Sequence, residues 1–298
     1  MRLLVRTCPN RFCKYAQRTS QRFYSRSGSF LCKWNNQLVP RYKCRGCRKS
    51  FSTSTFRASY KQKKPYLNKA IFELYASSTS QRRLAKVLRI DRKTVARKFI
   101  WAAQWARERH LEELAASTTP IHIQFDEMES FEHTRLKPLS ISLAVRTDTA
   151  KILDIQVGTL NYKGRLANFA FSKYGPRVDT SEKASLKVLE NLKLAKVKDS
   201  TFVTDAKNTY PKLIKETFPQ ASHVAVKVEK VSMAQRLFRK GRRNINDPLF
   251  VLNLTSAKIR HDLSRMARKV WVTTKRDVYL QAHLDLYIAY ANGYKLPA

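Results

Sequence analysis

Between residues 67 and 116 the apolar positions recur every three to four residues, whereas beyond residue 120 they alternate or gather in short β-branched runs. Leu67, Ala70, Ile71, Leu74 and Tyr75 form one stripe of a helix. Thr79 or Ser80 is placed to cap a second helix carrying Leu84, Ala85 and Leu88, and Asp91 to cap a third carrying Val95 and Phe99. The third helix is predicted to continue through Trp101, Trp105 and Leu111 to Ala116, where Ser117-Thr118-Thr119-Pro120 closes it and marks a domain boundary.

After that boundary Ile121, Ile123 and Phe125 share one face of an extended strand, and Gln124 and Asp126 share the other. Strands are predicted over 121–131, 139–145 and 151–157, with Asp148 and Thr149 turning the chain between the last two. A helix over 181–193, a strand over 201–205, a helix over 211–218, a strand over 222–228 and a long helix from 248 follow. Three strands and then alternating helix and strand predict a mixed sheet flanked by helices.

Composition adds what the pattern lacks. A chain of 298 residues suits two or three domains, and 43% hydrophobic content marks it as folded. Its 59 Lys and Arg against 22 Asp and Glu give a net charge of +37, which strongly favours a polyanionic partner. Nucleic acid is the first candidate. An anionic membrane surface is the second, but no apolar run of about 18 residues supports it. The opening residues to Arg11 lack the apolar core of a signal peptide. Five cysteines, four of them in two close pairs, suit a reducing compartment and a metal site better than a disulfide framework.

No acidic residue precedes Glu73, so the first seventy residues form a basic module. Within it lie Cys8-Pro9-Asn10-Arg11-Phe12-Cys13 and Cys44-Arg45-Gly46-Cys47, thirty residues apart. Two tight turns that each present a cysteine pair supply the four soft ligands of tetrahedral zinc, as in a zinc ribbon, with Gly46 easing the second turn. Cys32 falls between the pairs and reads as a small buried residue. The second and third helices read as a helix-turn-helix whose reader carries Arg92, Lys93, Thr94 and Arg97 at its N-terminal end, with Lys98 as a backbone contact.

Two aspartates end predicted strands, Asp126 in Phe125-Asp126-Glu127 and Asp205 in Val203-Thr204-Asp205. A solvated strand end or a turn explains each alone; together they suit shared magnesium ions. On the last helix Asp247-Pro248 reads as a cap and first-turn proline. Helical geometry places Asn253 on the stripe of Leu249, Ser256, Ala257, Arg260 and Leu263, hence inward, as a neutral metal ligand or a satisfied buried amide.

This combination resembles bacterial insertion-sequence transposases of the DDE type. The resemblance rests on Phe125-Asp126-Glu127-Met128-Glu129 with Lys137-Pro138-Leu139, on Thr204-Asp205 with Tyr210-Pro211, on the run from Asp247 to Asn253, and on the run from Arg268 to Lys275. It implies a zinc ribbon over 1–60, an all-α helix-turn-helix region over 61–119 and an α/β ribonuclease H-like catalytic domain over 120–298. Asp126 and Asp205 take the places of the first two catalytic acids, and Asn253 stands where many relatives have glutamate. The implied cofactors are Mg2+ or Mn2+ at Asp126, Asp205 and Asn253, and Zn2+ in the ribbon. Implied partners are the double-stranded DNA of the element ends and target, and further copies of the chain when two ends are paired; the implied location is the bacterial cytoplasm, at the nucleoid. The chemistry would be phosphodiester hydrolysis and then transesterification without a covalent protein intermediate. Lys227, Lys230, Arg236, Arg239, Lys240, Arg242, Arg243, Arg260, Arg265, Arg268, Lys269 and Lys275 would bind the strands. An inactive DNA-binding regulator derived from a transposase and a metal-dependent nuclease that does not join ends are the alternatives.

Overall fold

The structure, a computed structural model, describes residues 7–17, 23–32, 35–117, 122–195, 200–227, 247–267 and 274–297. It divides into two compact units, 1–70 with 296–298, and 71–295.

In the first unit β1 (Tyr24–Cys32), β2 (Gln37–Cys44) and β3 (Ser50–Ser52) form an antiparallel sheet in that order. Its core is aromatic and sulfur-rich: Phe23, Tyr42 and Phe51 are buried with Cys8, Cys13 and Cys44, and the Phe23 and Phe51 rings stack with centroids 5.8 Å apart. So few apolar side chains stabilise a domain of this size only weakly.

Helix α1 (Asn68–Ala76) spans the boundary between the units. Helices α2 (Gln81–Val87) and α3 (Arg92–Ala116) follow, capped as the sequence predicts: Ser80 accepts from the Arg83 N–H, and Asp91 accepts from the Lys93 N–H at 2.6 Å. Lys98 is buried, 4% exposed, because it lies on the face of α3 that also buries Val95 and Ala102; it is not the surface contact the sequence suggested.

The second sheet comprises β4 (His122–Phe131), β5 (Pro138–Arg146), β6 (Ile152–Thr159), β7 (Thr201–Asp205) and β8 (Ser222–Val226) in the order β6-β5-β4-β7-β8. β4, β5 and β6 are antiparallel neighbours; β7 runs parallel to both β4 and β8. Between the strands lie α4 (Ala167–Tyr174), absent from the predicted elements, α5 (Ser181–Leu192) and α6 (Tyr210–Thr217). The expected long terminal helix is two, α7 (Phe250–Asp262) and α8 (Asp277–Ala291). Ser78 fixes the end of α7: its hydroxyl donates to the Asp262 carbonyl and accepts from the Ser264 N–H.

Both faces of the sheet are covered. Ile141, Leu143 and Ile155 pack with Leu252 and Ile259 of α7 and Leu284 and Ile288 of α8. On the other side Ile123, Phe125 and Phe202 pack with Val188 and Leu189 of α5 and Tyr210 and Ile214 of α6, and Leu114 of α3 joins them. The expected boundary between 119 and 120 thus falls inside the second unit. Among the described residues no helix is long and apolar enough to cross a membrane.

Candidate functional site

Four cysteines meet at one end of the ribbon. The sulfurs of Cys8, Cys13, Cys44 and Cys47 all lie within 4.8 Å of one another. Cys8 and Cys47 are 3.6 Å apart, and Cys13 and Cys44 3.7 Å. Zn–S bonds of about 2.3 Å in a tetrahedron require sulfurs about 3.8 Å apart, so these two pairs already have the spacing zinc needs and the four together could hold it. Backbone N–H groups of Asn10 and Tyr15 approach the Cys8 and Cys13 sulfurs, each at 3.5 Å, and would support thiolates. Burial pushes the Cys8 thiol up to about 12; against its own burial, the Lys49 backbone N–H and the side chains of Asn10, Cys8 and Cys13 bring Cys47 down to about 6. Gly46 does more than ease a turn: a Cβ there would stand 2.9 Å from the Tyr15 ring and 3.2 Å from the Cys13 sulfur. Cys32 lies half-buried at the end of β1, outside the cluster.

The carboxylates gather at the middle of the large sheet. Phe125 of β4 pairs with Thr204 of β7, so the same register sets Asp126 beside Asp205 at the next position. Burial raises the Asp126 carboxyl to about 6; the charge of Asp205 adds to the rise, while the Glu127 N–H and the Tyr210 hydroxyl oppose it. That N–H lies 2.6 Å from Asp126 Oδ1, and the hydroxyl donates from 3.3 Å. Asp205 accepts the Lys207 N–H at 3.2 Å. Neither aspartate forms an ion pair among the described residues.

Glu127 differs. Strand alternation turns it to the opposite face, where Lys207 Nζ at 2.6 Å, Ser140 Oγ at 2.5 Å and Ser185 Oγ at 2.9 Å satisfy its carboxylate. Sequence reasoning missed this pairing and the Tyr210 contact. The visible signal was Lys207, two residues beyond Asp205 in the same turn.

Asn253 is exposed, not inward as expected. The buried face of α7 carries Leu252, Thr255 and Ile259 instead. Asn253 Nδ2 donates to Asp247 Oδ2 at 2.9 Å, and Asp247 Oδ1 accepts the Leu249 N–H at 2.9 Å, so Asp247 caps the helix entry as the sequence suggested. Gln124, on the Asp126 face of β4, bonds the backbone of Pro248 and Leu252, which docks the start of α7 on that face. Among the described residues the four cysteines are the one cluster of three or more His, Cys, Asp or Glu ligands.

Arg92, Lys93 and Arg97 are exposed at the start of α3, with Thr94 half-buried between them. Arg260 borders a cleft of about 630 Å³ along Glu127–Phe131, with Arg135 and Met266. Lys275 is exposed. Arg268 and Lys269 lie outside the described residues, as does the basic run from Lys230 to Arg243. No protein-family model matches the chain, and no curated protein matches it.

Proposed function

We propose that the chain is a DNA transposase of the insertion-sequence type that binds the ends of a mobile element and performs metal-dependent strand cleavage and strand transfer. One observation carries the reading: Asp126, midway along β4, and Asp205, at the end of the parallel neighbour β7, lie side by side and without a cation partner among the described residues. Two adjacent carboxylates repel, and a divalent cation is the counter-charge that suits hard oxygen ligands. The strand order, three antiparallel strands followed by two parallel ones, supports a ribonuclease H-like reading of the sheet.

Asp126 and Asp205 would hold Mg2+ or Mn2+. Asn253, whose Nδ2 already serves Asp247, would offer its amide oxygen. The metal would supply activation of the attacking hydroxyl and stabilisation of the leaving oxygen. Tyr210 and the Glu127 N–H orient Asp126, and the Lys207 N–H orients Asp205. Zinc at the four cysteines would fold the ribbon, and the net charge of +37 would hold DNA. A bacterial cytoplasmic location and assembly of copies on two DNA ends belong to the same reading.

That no third carboxylate clusters with Asp126 and Asp205 among the described residues favours a second reading, an inactive DNA-binding regulator. Labelled DNA carrying the element's own ends separates them, with Mg2+ or Mn2+ present and wild type compared with Asp205→Ala. Metal-dependent joined products from wild type alone support the transposase. End binding by both without cutting favours the regulator, and cut but unjoined ends favour a nuclease.

A further inference from the structure

A cleft of about 700 Å³ in the second unit is lined by Arg97, Trp101, Arg265, Lys275, Tyr279 and His283, and among the described residues no acidic side chain borders it. Arg265 is half-buried and makes no hydrogen bond or ion pair among the described residues. Burial lowers its pKa only to about 10, so it stays cationic at neutral pH. His283 is buried and neutral, its pKa held well below the usual histidine value by burial and then by the Arg265 charge.

A smaller cavity of about 120 Å³ shares Gln81, Arg265 and His283 with the cleft and is bordered by Tyr75. Tyr75 is 2% exposed, and its hydroxyl makes no hydrogen bond of normal geometry among the described residues, the Gln81 side chain being the polar group that interacts with it. A partly desolvated guanidinium without an anion and a buried hydroxyl without a well-formed hydrogen bond are each costly, and one anion rich in acceptor oxygens relieves both. The rest of the cleft suits what such an anion would carry. Trp101 and the exposed Tyr279 line it with aromatic rings, and Arg97 is exposed about one turn beyond Arg92 and Lys93 on α3.

We propose that this cleft takes one unpaired nucleotide of a DNA strand, its phosphate on Arg265 between Arg97 and Lys275 and its base against Trp101 and Tyr279. The proposal rests on the DNA-binding part of the reading above and is independent of catalysis. The test is photo-crosslinking of a single-stranded oligonucleotide containing 5-iodouracil, with the linked residue identified by mass spectrometry. Crosslinks to Trp101 or Tyr279 are expected, weaker with the same sequence as a duplex. Arg265→Met and the exposed Lys275→Ala should each reduce crosslinking, and Tyr279→Ala should weaken single-strand binding about tenfold. Arg265→Met should keep or raise the Tm, because it removes an unneutralised charge. Crosslinks confined to other regions, or undiminished crosslinking by Arg265→Met, overturn the proposal, as does a sharp fall in its Tm. Asp205→Ala separates this result from the catalytic reading. Crosslinking without cutting by wild type defeats catalysis alone, and cutting without cleft crosslinks defeats the cleft alone.

Discussion

Gln124 holds the backbone of Leu252: its Oε1 accepts the Leu252 N–H at 2.8 Å, while its Nε2 donates to the Pro248 carbonyl at 2.6 Å. The side chain is 6% exposed and lies two residues before Asp126 on the same strand face. It therefore sets where α7 begins relative to the carboxylates. Gln124→Leu would leave two backbone groups without partners and is expected to cost about 2–3 kcal/mol. A denaturant midpoint unchanged from wild type would show that the amide does not fasten the helix.

The cysteine cluster makes a separate prediction. One zinc per chain is expected by metal analysis, lost in Cys44→Ser. Chelation should unfold the ribbon, because Phe23, Tyr42 and Phe51 make too small a core alone, while a second unfolding transition from residues 71–295 persists. Zinc retained at full stoichiometry by Cys44→Ser would exclude it as a ligand. Affinity should fall as pH drops, since protons then compete for the four sulfurs.

On α3, exposure separates residues that charge alone does not. Arg92→Ala is expected to relax base preference, and Lys93→Ala to weaken binding to all sequences with a smaller salt dependence. Lys98 is buried, and burial lowers its amine to about 8, so Lys98→Ala should change stability rather than the salt slope. Salt titration of duplex binding by the three variants checks this; an altered slope for Lys98→Ala would contradict it.

Legibility followed the range of the interactions. The caps at Ser80 and Asp91 and the turn at Asp148 and Thr149 depend on residues close in sequence, and the structure has them where the pattern put them. The cysteine pairs were legible because spacing alone brings each pair together. The face of α7 was not. Leu249, Asn253 and Ser256 have nearly the same spacing as Leu252, Thr255 and Ile259, and the choice is made by Gln124, 128 residues away from Leu252. In the same way nothing local marks Arg107, Asp154 and Asp285 as neighbours.

Asp126 ought to weaken the fold it belongs to. Its carboxyl is raised to about 6, so between about pH 4 and 6 the folded chain keeps a proton that the unfolded chain releases, and stability falls as pH rises through that window. Asp126→Asn should remove this penalty and stabilise the protein by about 1–3 kcal/mol at pH 8, while abolishing cleavage if the carboxylate pair is catalytic. Thermal unfolding at pH 4 and pH 8 checks it. A variant less stable than wild type at pH 8 would show that Asp126 is held by structural contacts instead.

The same sign applies deeper in the fold, where one arginine serves two acids. Arg107 Nη1 of α3 lies 2.5 Å from Asp154 Oδ1 of β6 and 3.8 Å from Asp285 Oδ1 of α8. Asp154 is the better held: it is fully buried and also accepts from Asn191 Nδ2 at 2.7 Å and from Gln156. Asp285 has a Gln281 amide at 2.9 Å and the remainder of the guanidinium. Burial therefore raises its carboxyl to about 7, Asp154 adds repulsion, and Arg107 and Gln281 only partly compensate. Folding is favoured while Asp285 is protonated, so its contribution declines as pH climbs from about 4 to 7 and is then level. Asp285→Asn keeps an acceptor for Gln281 without the charge. It should flatten that part of the stability profile and add about 2–4 kcal/mol at pH 8. Asp154→Asn should do the opposite, because it removes the main partner of Arg107 and leaves a half-buried cation with the weaker of its two acids. Denaturant unfolding of both variants across pH 4 to 8 distinguishes the roles; parallel profiles for the two would show that the acids share Arg107 equally.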